Sequence, residues 1–351
     1  MNGGAASERW SGKVPGVFAG LLGIGPENVE VRADGRPGAG LVLKAQGRTF
    51  VLELKHGSGT AMIAQAIRNL QGQAKPSRSH PIPLVAAPFM GEAGRELCRD
   101  AGIGWFDLSG NARVIAPGLR IIIDGRPNLF LSAGRPANLF APKSSRVARW
   151  LLIHPGHAFT QRAIAQGTGM DEGFVSRIVS RLRGDGYLVR DAGGAVRTPD
   201  PALLLDAWRE TYRFESHAVR RGQVPARTGD ALLHFVRDTM NAQKANYAAT
   251  GLAAAWVYTH FAAFRIATIY LPGEPSPSLL KRLSFSEEPR GANLWLVVPN
   301  DAGVFHGAMT RHGVRCVNPV QAYLDLKSHP ERAREAAERL RGDCLKWKHD
   351  A

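Results

Sequence analysis

The sequence predicts a multidomain α/β protein, and three features carry that prediction. Its 351 residues are enough for two or three domains with separate cores. From Val29 to Ile123, short Val- and Leu-rich runs interleave with helical patterns, the order of an α/β sandwich. From Ser144 to Thr198, three short helical patterns precede two extended runs joined by a Gly-rich turn. The expected domains are 1–135, 136–200 and 201–351.

In the first domain, Val29–Arg32, Leu41–Ala45 and Thr49–Leu54 read as strands bounded by Gly and Pro. Gln46-Gly47 suits a two-residue hairpin turn between the second and third. Thr60–Gln73 carries Met62, Ile63, Ala66, Ile67 and Leu70 at helical spacing. Pro83–Pro88 reads as a buried strand, Gly91–Asp100 as a helix and Gly104–Asp107 as a strand. Val114–Ile115 and Leu119–Ile123 supply the last strands.

The run TFVLELK sets Glu53 and Lys55 at alternate strand positions, so both side chains leave one face. This resembles the second half of the PD-(D/E)xK motif of restriction-endonuclease-like proteins. In that superfamily an acidic residue of the preceding strand joins the Glu to hold a divalent metal, and the Lys polarises the attacking water. A Gln46-Gly47 turn, however, sets Gly40 opposite Glu53 and Gly38 opposite Lys55. Glycines then stand where the carboxylate belongs, and Asp34 lies before the strand, beyond Pro37. One carboxylate and one lysine make a poor site for a hard cation, which needs several oxygen ligands. A degenerate motif at Glu53 and Lys55 is therefore expected, with no catalytic residue, metal or cofactor. Gln65 and Gln71 on the next helix read equally as DNA contacts or as solvated side chains. Gly102–Asn128 opens GIGWFDLSGN, which resembles an AGIGYxDLAGN stretch closing the same nuclease-like domain in a family of bacterial regulators. For Asp107, Ser109 and Asn111 a structural role in Asx-type turns is expected, with Gly110 supplying a special backbone angle.

Leu131–Lys143 is rich in Pro, Gly and Ala and reads as a linker. Helix one starts at Ser144 or Ser145 and runs to about Ile153, before Pro155-Gly156. Thr160 caps helix two, Gln161–Gly167, and Asp171 caps helix three. Val175, Ile178, Val179 and Leu182 form the apolar stripe of helix three; Gly173, Ser176, Arg177, Ser180 and Arg181 fall on its other side. Tyr187–Arg190 and Ala195–Thr198 are strands flanking Asp191–Gly194. The whole is the order of a winged helix-turn-helix, whose third helix lays its N-terminal half in a DNA major groove. The expected DNA-binding residues are Thr160, Gln161, Arg162, Gly173, Ser176, Arg177, Ser180 and Arg181, with Arg190 and Arg197 on the wing reaching phosphate or the minor groove.

In the third domain, Pro201–Phe214, Thr228–Thr239, the run from Ala245 to Arg265, Gln321–Leu326 and Glu331–Leu345 read as helices. Ile266–Leu271 and Leu294–Val298 read as strands, with a loop and short helix between them, and Val304–His306 and Val314–Val317 as short extended pieces. Asp301, Asp325 and His306 are scattered and read as turn or surface residues, and His154, His157 and His260 lack ligand spacing. The run NPVQAYLDLKSHPERAREAAERLRGDCLK, with YAATGLAAA and VVPNDAGVFHG before it, resembles the C-terminal domain of the AbiEi family. Members of that family are antitoxins of type IV abortive-infection toxin–antitoxin systems. The resemblance implies a promoter-binding winged helix and an antitoxicity domain, and here a nuclease-like domain stands in front. The fold class expected is thus a restriction-endonuclease-like α/β domain, a winged helix-turn-helix and an α+β AbiEi-like domain.

Lys and Arg total 45 against 30 Asp and Glu, a formal charge of +15 that favours polyanionic partners. An Arg-, Ala- and Gly-rich composition of genomic origin is the bland source of the same charge. No apolar run reaches the roughly 18–20 residues of a membrane span, and the N-terminus lacks a secretion-signal core. Three widely spaced cysteines imply neither a disulfide framework nor a zinc site, so a cytoplasmic, nucleoid-associated protein is expected. The leading expectation is a sequence-specific transcriptional regulator that binds double-stranded DNA and is not an enzyme. Two alternatives stand beside it: a metal-dependent endonuclease targeted by the winged helix, and an antitoxin that represses its own promoter. A second copy of the chain, matching two half-sites, and a toxin are the other partners considered; a membrane is not.

Overall fold

The computed structural model describes residues 12–33, 40–55, 59–72, 81–130, 139–261, 263–288 and 290–347. Asp34, Gly38 and residues 131–138 of the expected linker lie outside these. The chain divides into two compact units, residues 1–136 with 183–187, and residues 137–182 with 188–351. Both are mixed α/β, and each is built on a seven-stranded sheet.

The first unit's helices are α1 (Val14–Leu22), α2 (Thr60–Gly72) and α3 (Glu92–Asp100). Its strands are β1 (Glu30–Ala33), β2 (Gly40–Ala45), β3 (Arg48–Leu54), β4 (Ile82–Ala87), β5 (Gly104–Asp107), β6 (Ala112–Ala116) and β7 (Leu119–Ile123). They lie side by side in sequence order: antiparallel from β1 to β3, parallel from β3 to β5 and antiparallel from β5 to β7. Gln46 and Gly47 both adopt left-handed φ values, +51° and +71°, as the tight hairpin turn requires. The alternation of β3 then assigns its faces. Phe50, Leu52 and Leu54 join the core beneath α1, and Val51 packs with the core beneath α2 and α3. Helix α1 was not among the expected elements; Pro15 suits its first turn, but Gly16 and Gly20 lower its helix propensity. Burial of its Phe18 between the Phe50 and Phe106 rings, at 4.8 and 5.5 Å, supplies about 2 kcal/mol that propensity does not. Tyr187 belongs to this unit too; its hydroxyl accepts a hydrogen bond from the Thr60 backbone N–H at 3.0 Å.

The second unit begins with α4 (Ser145–Ile153), α5 (Gln161–Thr168) and α6 (Glu172–Gly184), the last two residues of α6 being counted with the first unit. A two-stranded antiparallel ribbon of β8 (Val189–Arg190) and β9 (Val196–Arg197) follows. Phe159 adds a third extended position, exchanging both backbone hydrogen bonds with Val196. Helix α7 (Pro201–Thr211), capped by Asp200, leads into the second sheet.

That sheet contains β10 (Ala218–Gln223), β11 (Ala248–Thr250), β12 (Ala267–Tyr270), β13 (Ser286–Glu287), β14 (Leu294–Val298), β15 (Met309–Arg311) and β16 (Val314–Cys316). The spatial order is β13-β10-β14-β12-β11-β16-β15, with parallel pairs at β12/β14 and β11/β16. Helices α8 (Gly229–Ala242), α9 (Gly251–Thr259), α10 (Pro277–Arg282), α11 (Pro319–Asp325) and α12 (Ala333–Cys344) complete it. The single helix expected from Ala245 to Arg265 is instead strand β11 followed by α9. Thr250 is extended, Gly251 takes φ +56°, and His260 ends α9 in the left-handed region at +49°. Its alanines are buried between the sheet and helices α11 and α12, which explains an apolar run with no amphipathic face. Residues 302–305 form a 3-10 turn where an extended piece was expected. No helix among the described residues is long and apolar enough to cross a membrane.

Candidate functional site

Helices α5 and α6 are set by local sequence. The Thr160 Oγ1 accepts a hydrogen bond from Ala163 N at 3.1 Å, and Asp171 Oδ1 accepts one from Phe174 N at 2.9 Å. Each side chain satisfies a backbone donor that the first turn leaves open. Gly169, at φ +63°, ends α5 and lets the chain reverse into α6. The buried stripe of α6 is Val175, Ile178, Val179 and Leu182, as expected. Gly173, Arg177, Ser180 and Arg181 are exposed on its other side, with Ser176 half-buried between them.

Thr160 and Arg162 are exposed at the start of α5, and Gln161 is half-buried. The Thr160 hydroxyl is already engaged as a cap, which leaves it less to offer a ligand than its position implied. The arginines of the β8–β9 ribbon also differ. Val189 pairs with Arg197 and Arg190 with Val196, so Arg190 and Arg197 leave the ribbon on opposite faces. Arg190 is exposed and Arg197 half-buried. One cation was missed from the sequence. Lys143 Nζ lies 5.8 Å from the centre of the Phe174 ring, and the Arg177 guanidinium carbon lies 5.5 Å from it. Lys143 looked like the end of a linker, and nothing local ties it to α6.

In the first unit, Gly40 stands directly opposite Glu53, as the hairpin register required. The Glu53 carboxylate is buried and engaged: Lys55 Nζ lies 3.1 Å from Oε2, and Asn69 Nδ2 of α2 donates to the same oxygen at 3.3 Å. Among the described residues no three His, Cys, Asp or Glu side chains cluster as a metal site. Gln65 is exposed and occupied along its own helix, donating to Asn69 Oδ1 at 2.8 Å.

Asp107 closes the β5–β6 turn. Its carboxylate accepts from Met90 N at 3.1 Å, Asn111 N at 2.9 Å and Asn111 Nδ2 at 3.0 Å, while Gly110 takes φ +92°. Asn111 Oδ1 accepts from Arg126 N at 2.8 Å, and Ser109 Oγ from Leu129 N at 3.1 Å. These polar groups hold backbone together and have little left for chemistry.

The largest departure from the sequence reading is Asp325, which is fully buried. Its carboxylate accepts from the Tyr212, Tyr270 and Thr250 hydroxyls and from Gln321 Nε2. Burial raises its pKa to about 6, against the pull of those donors. His217 Nδ1 accepts from Asn300 N at 3.1 Å, so its Nε2–H donates to the Tyr212 hydroxyl at 2.9 Å. Burial, with the Arg149 charge, lowers the His217 pKa to about 4. Asp301 is no free surface carboxylate either: Arg146 holds it through two hydrogen bonds of 2.8 and 2.9 Å.

No protein-family model, curated protein or solved structure matches the chain.

Proposed function

We propose that residues 145–197 are a winged helix-turn-helix that binds double-stranded DNA, and that the protein is a sequence-specific transcriptional regulator. One observation carries this reading. A capped helix, a glycine reversal and a second capped helix are followed by a two-stranded ribbon, and Ser176, Arg177, Ser180 and Arg181 lie together opposite the buried stripe of α6. Arg offers paired donors to guanine O6 and N7, and Ser both donates and accepts, so this face has the chemistry to read base edges. The exposed Arg162 and Arg190 are suited to phosphate. The overall charge of +15 favours the same partner.

In this proposal the first unit is a nuclease-like scaffold that cuts nothing. Glycine at position 40 and the engagement of Glu53 by Lys55 and Asn69 support it. The resemblance of the C-terminal run to AbiEi antitoxins is compatible with regulation by promoter binding and adds a toxin as a candidate partner.

Mapping bound DNA across the source genome, followed by footprinting at the strongest site, tests the reading. Arg177→Ala/Arg181→Ala is expected to abolish footprinting at a correctly folded protein's site, and Glu53→Ala to leave it intact. Unchanged operator affinity in the double variant would sink the proposal. Plasmid cleavage in Mg²⁺ or Mn²⁺ that disappears in Glu53→Ala would establish the nuclease instead.

A further inference from the structure

The second unit contains a cavity of about 250 Å³ bounded by α4, the end of α7 and the turn at Asn300 to Val304. Its floor carries Arg149, only 2% exposed. A guanidinium buried to this degree ordinarily has a carboxylate partner, because the desolvation of an unpaired charge costs several kcal/mol. Arg149 has none among the described residues. The nearby Asp301 is taken by Arg146, and Asp325 is reached only through Gln321. Arg149 Nη2 donates to Gln321 Oε1, its guanidinium carbon lies 4.9 Å from the centre of the Trp208 ring, and its Nε–H has no acceptor among the described residues.

The remaining lining has the character of a ligand site. Arg213 is exposed at the rim with Thr211 and Ser216, and the Trp208 ring, stacked on Phe140 at 6.1 Å, gives an apolar wall. His217, also on the wall, is held neutral by burial and by the Arg149 charge, and the carboxylate on the wall, Asp301, is already neutralised by Arg146. We propose that this cavity binds a small oxyanion, a carboxylate or phosphate group, with Arg149 as its buried partner and Arg213 closing over it from the rim. The planar guanidinium fork matches either group. The volume lies below the roughly 300–1,000 Å³ of drug-sized sites, so the ligand is a small molecule rather than a peptide or a nucleotide. The site stands whether or not α6 binds DNA.

Titration calorimetry and thermal unfolding of the full chain test it, with sodium phosphate, acetate and succinate as probes and chloride matching the ionic strength. Saturable binding and a rise in Tm with at least one probe are expected; phosphate against the two carboxylates separates the sources of the oxyanion. Arg149→Met is expected to abolish the response while leaving the unliganded protein as stable as before or more so, since a buried unpaired charge has been replaced by an apolar side chain of similar length. Thr211→Phe, which fills the rim without touching Arg149, is expected to weaken binding about tenfold or more. No saturable response to any of the three probes, or a response undiminished in both variants, overturns the proposal.

Discussion

Lys55 and Glu53, two residues apart on one face of the β3 strand run, form an ion pair of 3.1 Å with their side chains only 15% and 5% exposed. Gly40 across the ladder contributes no carboxylate. The pair is therefore a closed unit in which the lysine neutralises the glutamate, and a water or metal would have to displace it. Lys55→Met is expected to lower the unfolding free energy by about 3 kcal/mol or more, because among the described residues it leaves the buried Glu53 charge with Asn69 alone. Glu53→Leu/Lys55→Met should recover most of that loss, since neither charge then remains. Urea denaturation of the three proteins measures both. A Lys55→Met variant as stable as the parent would mean that the pair opens freely, as a working metal site would need.

Placing a carboxylate opposite Glu53 is the complementary experiment. In Gly40→Asp the new carboxylate stands opposite Glu53 on the same sheet face. In the presence of a chelator the repulsion between neighbouring carboxylates should lower Tm. Added Mn²⁺ should reverse the loss, an effect expected to be far smaller in the parent protein. A parent protein that responds to Mn²⁺ as strongly as the variant would contradict the degenerate reading of this motif.

On the proposed DNA-binding function, the two arginines of the β8–β9 ribbon are expected to separate. Arg190→Ala should weaken binding evenly across sequences and make the slope of log K against log salt shallower by about 1, as loss of one phosphate contact does. Arg197, half-buried on the opposite face of the ribbon, should leave the slope unchanged when replaced by Ala. Arg177→Ala should instead relax specificity at one base position at a cost of about 1–3 kcal/mol. A slope unchanged in Arg190→Ala would remove Arg190 from the phosphate contacts, and unchanged base preference in Arg177→Ala would remove Arg177 from the base contacts.

The local features were legible in the sequence, and the nonlocal ones were not. Thr160, Asp171 and the Gln46-Gly47 turn act within four residues of themselves, and each does in the structure what its residue type demands. The hairpin even fixed the Gly40–Glu53 pairing in advance. Strand β10 escaped because AVRRGQ shows no apolar alternation; its arginines are accommodated by Glu287 and by the face of Trp295 at 4.8 Å. Asp325 and Arg149 escaped for a deeper reason. The donors to Asp325 come from positions 212, 250 and 270 as well as 321, and no spacing rule links such distant residues. An aspartate in a run as apolar as PVQAYLDL was the available hint.

Thiol reactivity tests the placement of the cysteines. Cys98 and Cys316 are buried, and burial pushes both thiols up to about 12, so almost no thiolate is present at pH 8. Cys344 is half-buried and raised as well. A native sample with a chromogenic disulfide reagent should therefore react slowly, through Cys344 first, and release all three equivalents only on denaturation. Rapid reaction in Cys344→Ser protein would show that one of the two cores is open.

The buried polar network makes a prediction about pH. The Asp325 carboxyl is raised to about 6 from 3.8, so its protonated form is favoured in the folded state. The stability this contributes is fully present below about pH 3.8 and is lost as pH rises through about 6; the displacement is worth about 3 kcal/mol. His217 acts in the opposite sense. Lowered to about 4 from 6.5, it contributes stability above about pH 6.5 that is lost as pH falls toward 4. His306 and His329, lowered mainly by burial, add to the histidine side. The two slopes oppose each other across the same window, so the parent protein should show a smaller pH dependence there than either group alone would produce. Asp325→Asn removes the falling limb and should steepen the gain in stability between about pH 4 and pH 6.5, whatever its effect on stability at one pH. His217→Gln removes part of the rising limb and should flatten it. Denaturant unfolding across that range distinguishes the variants, and the reverse order of slopes would show that Asp325 and His217 do not carry the protons assigned to them.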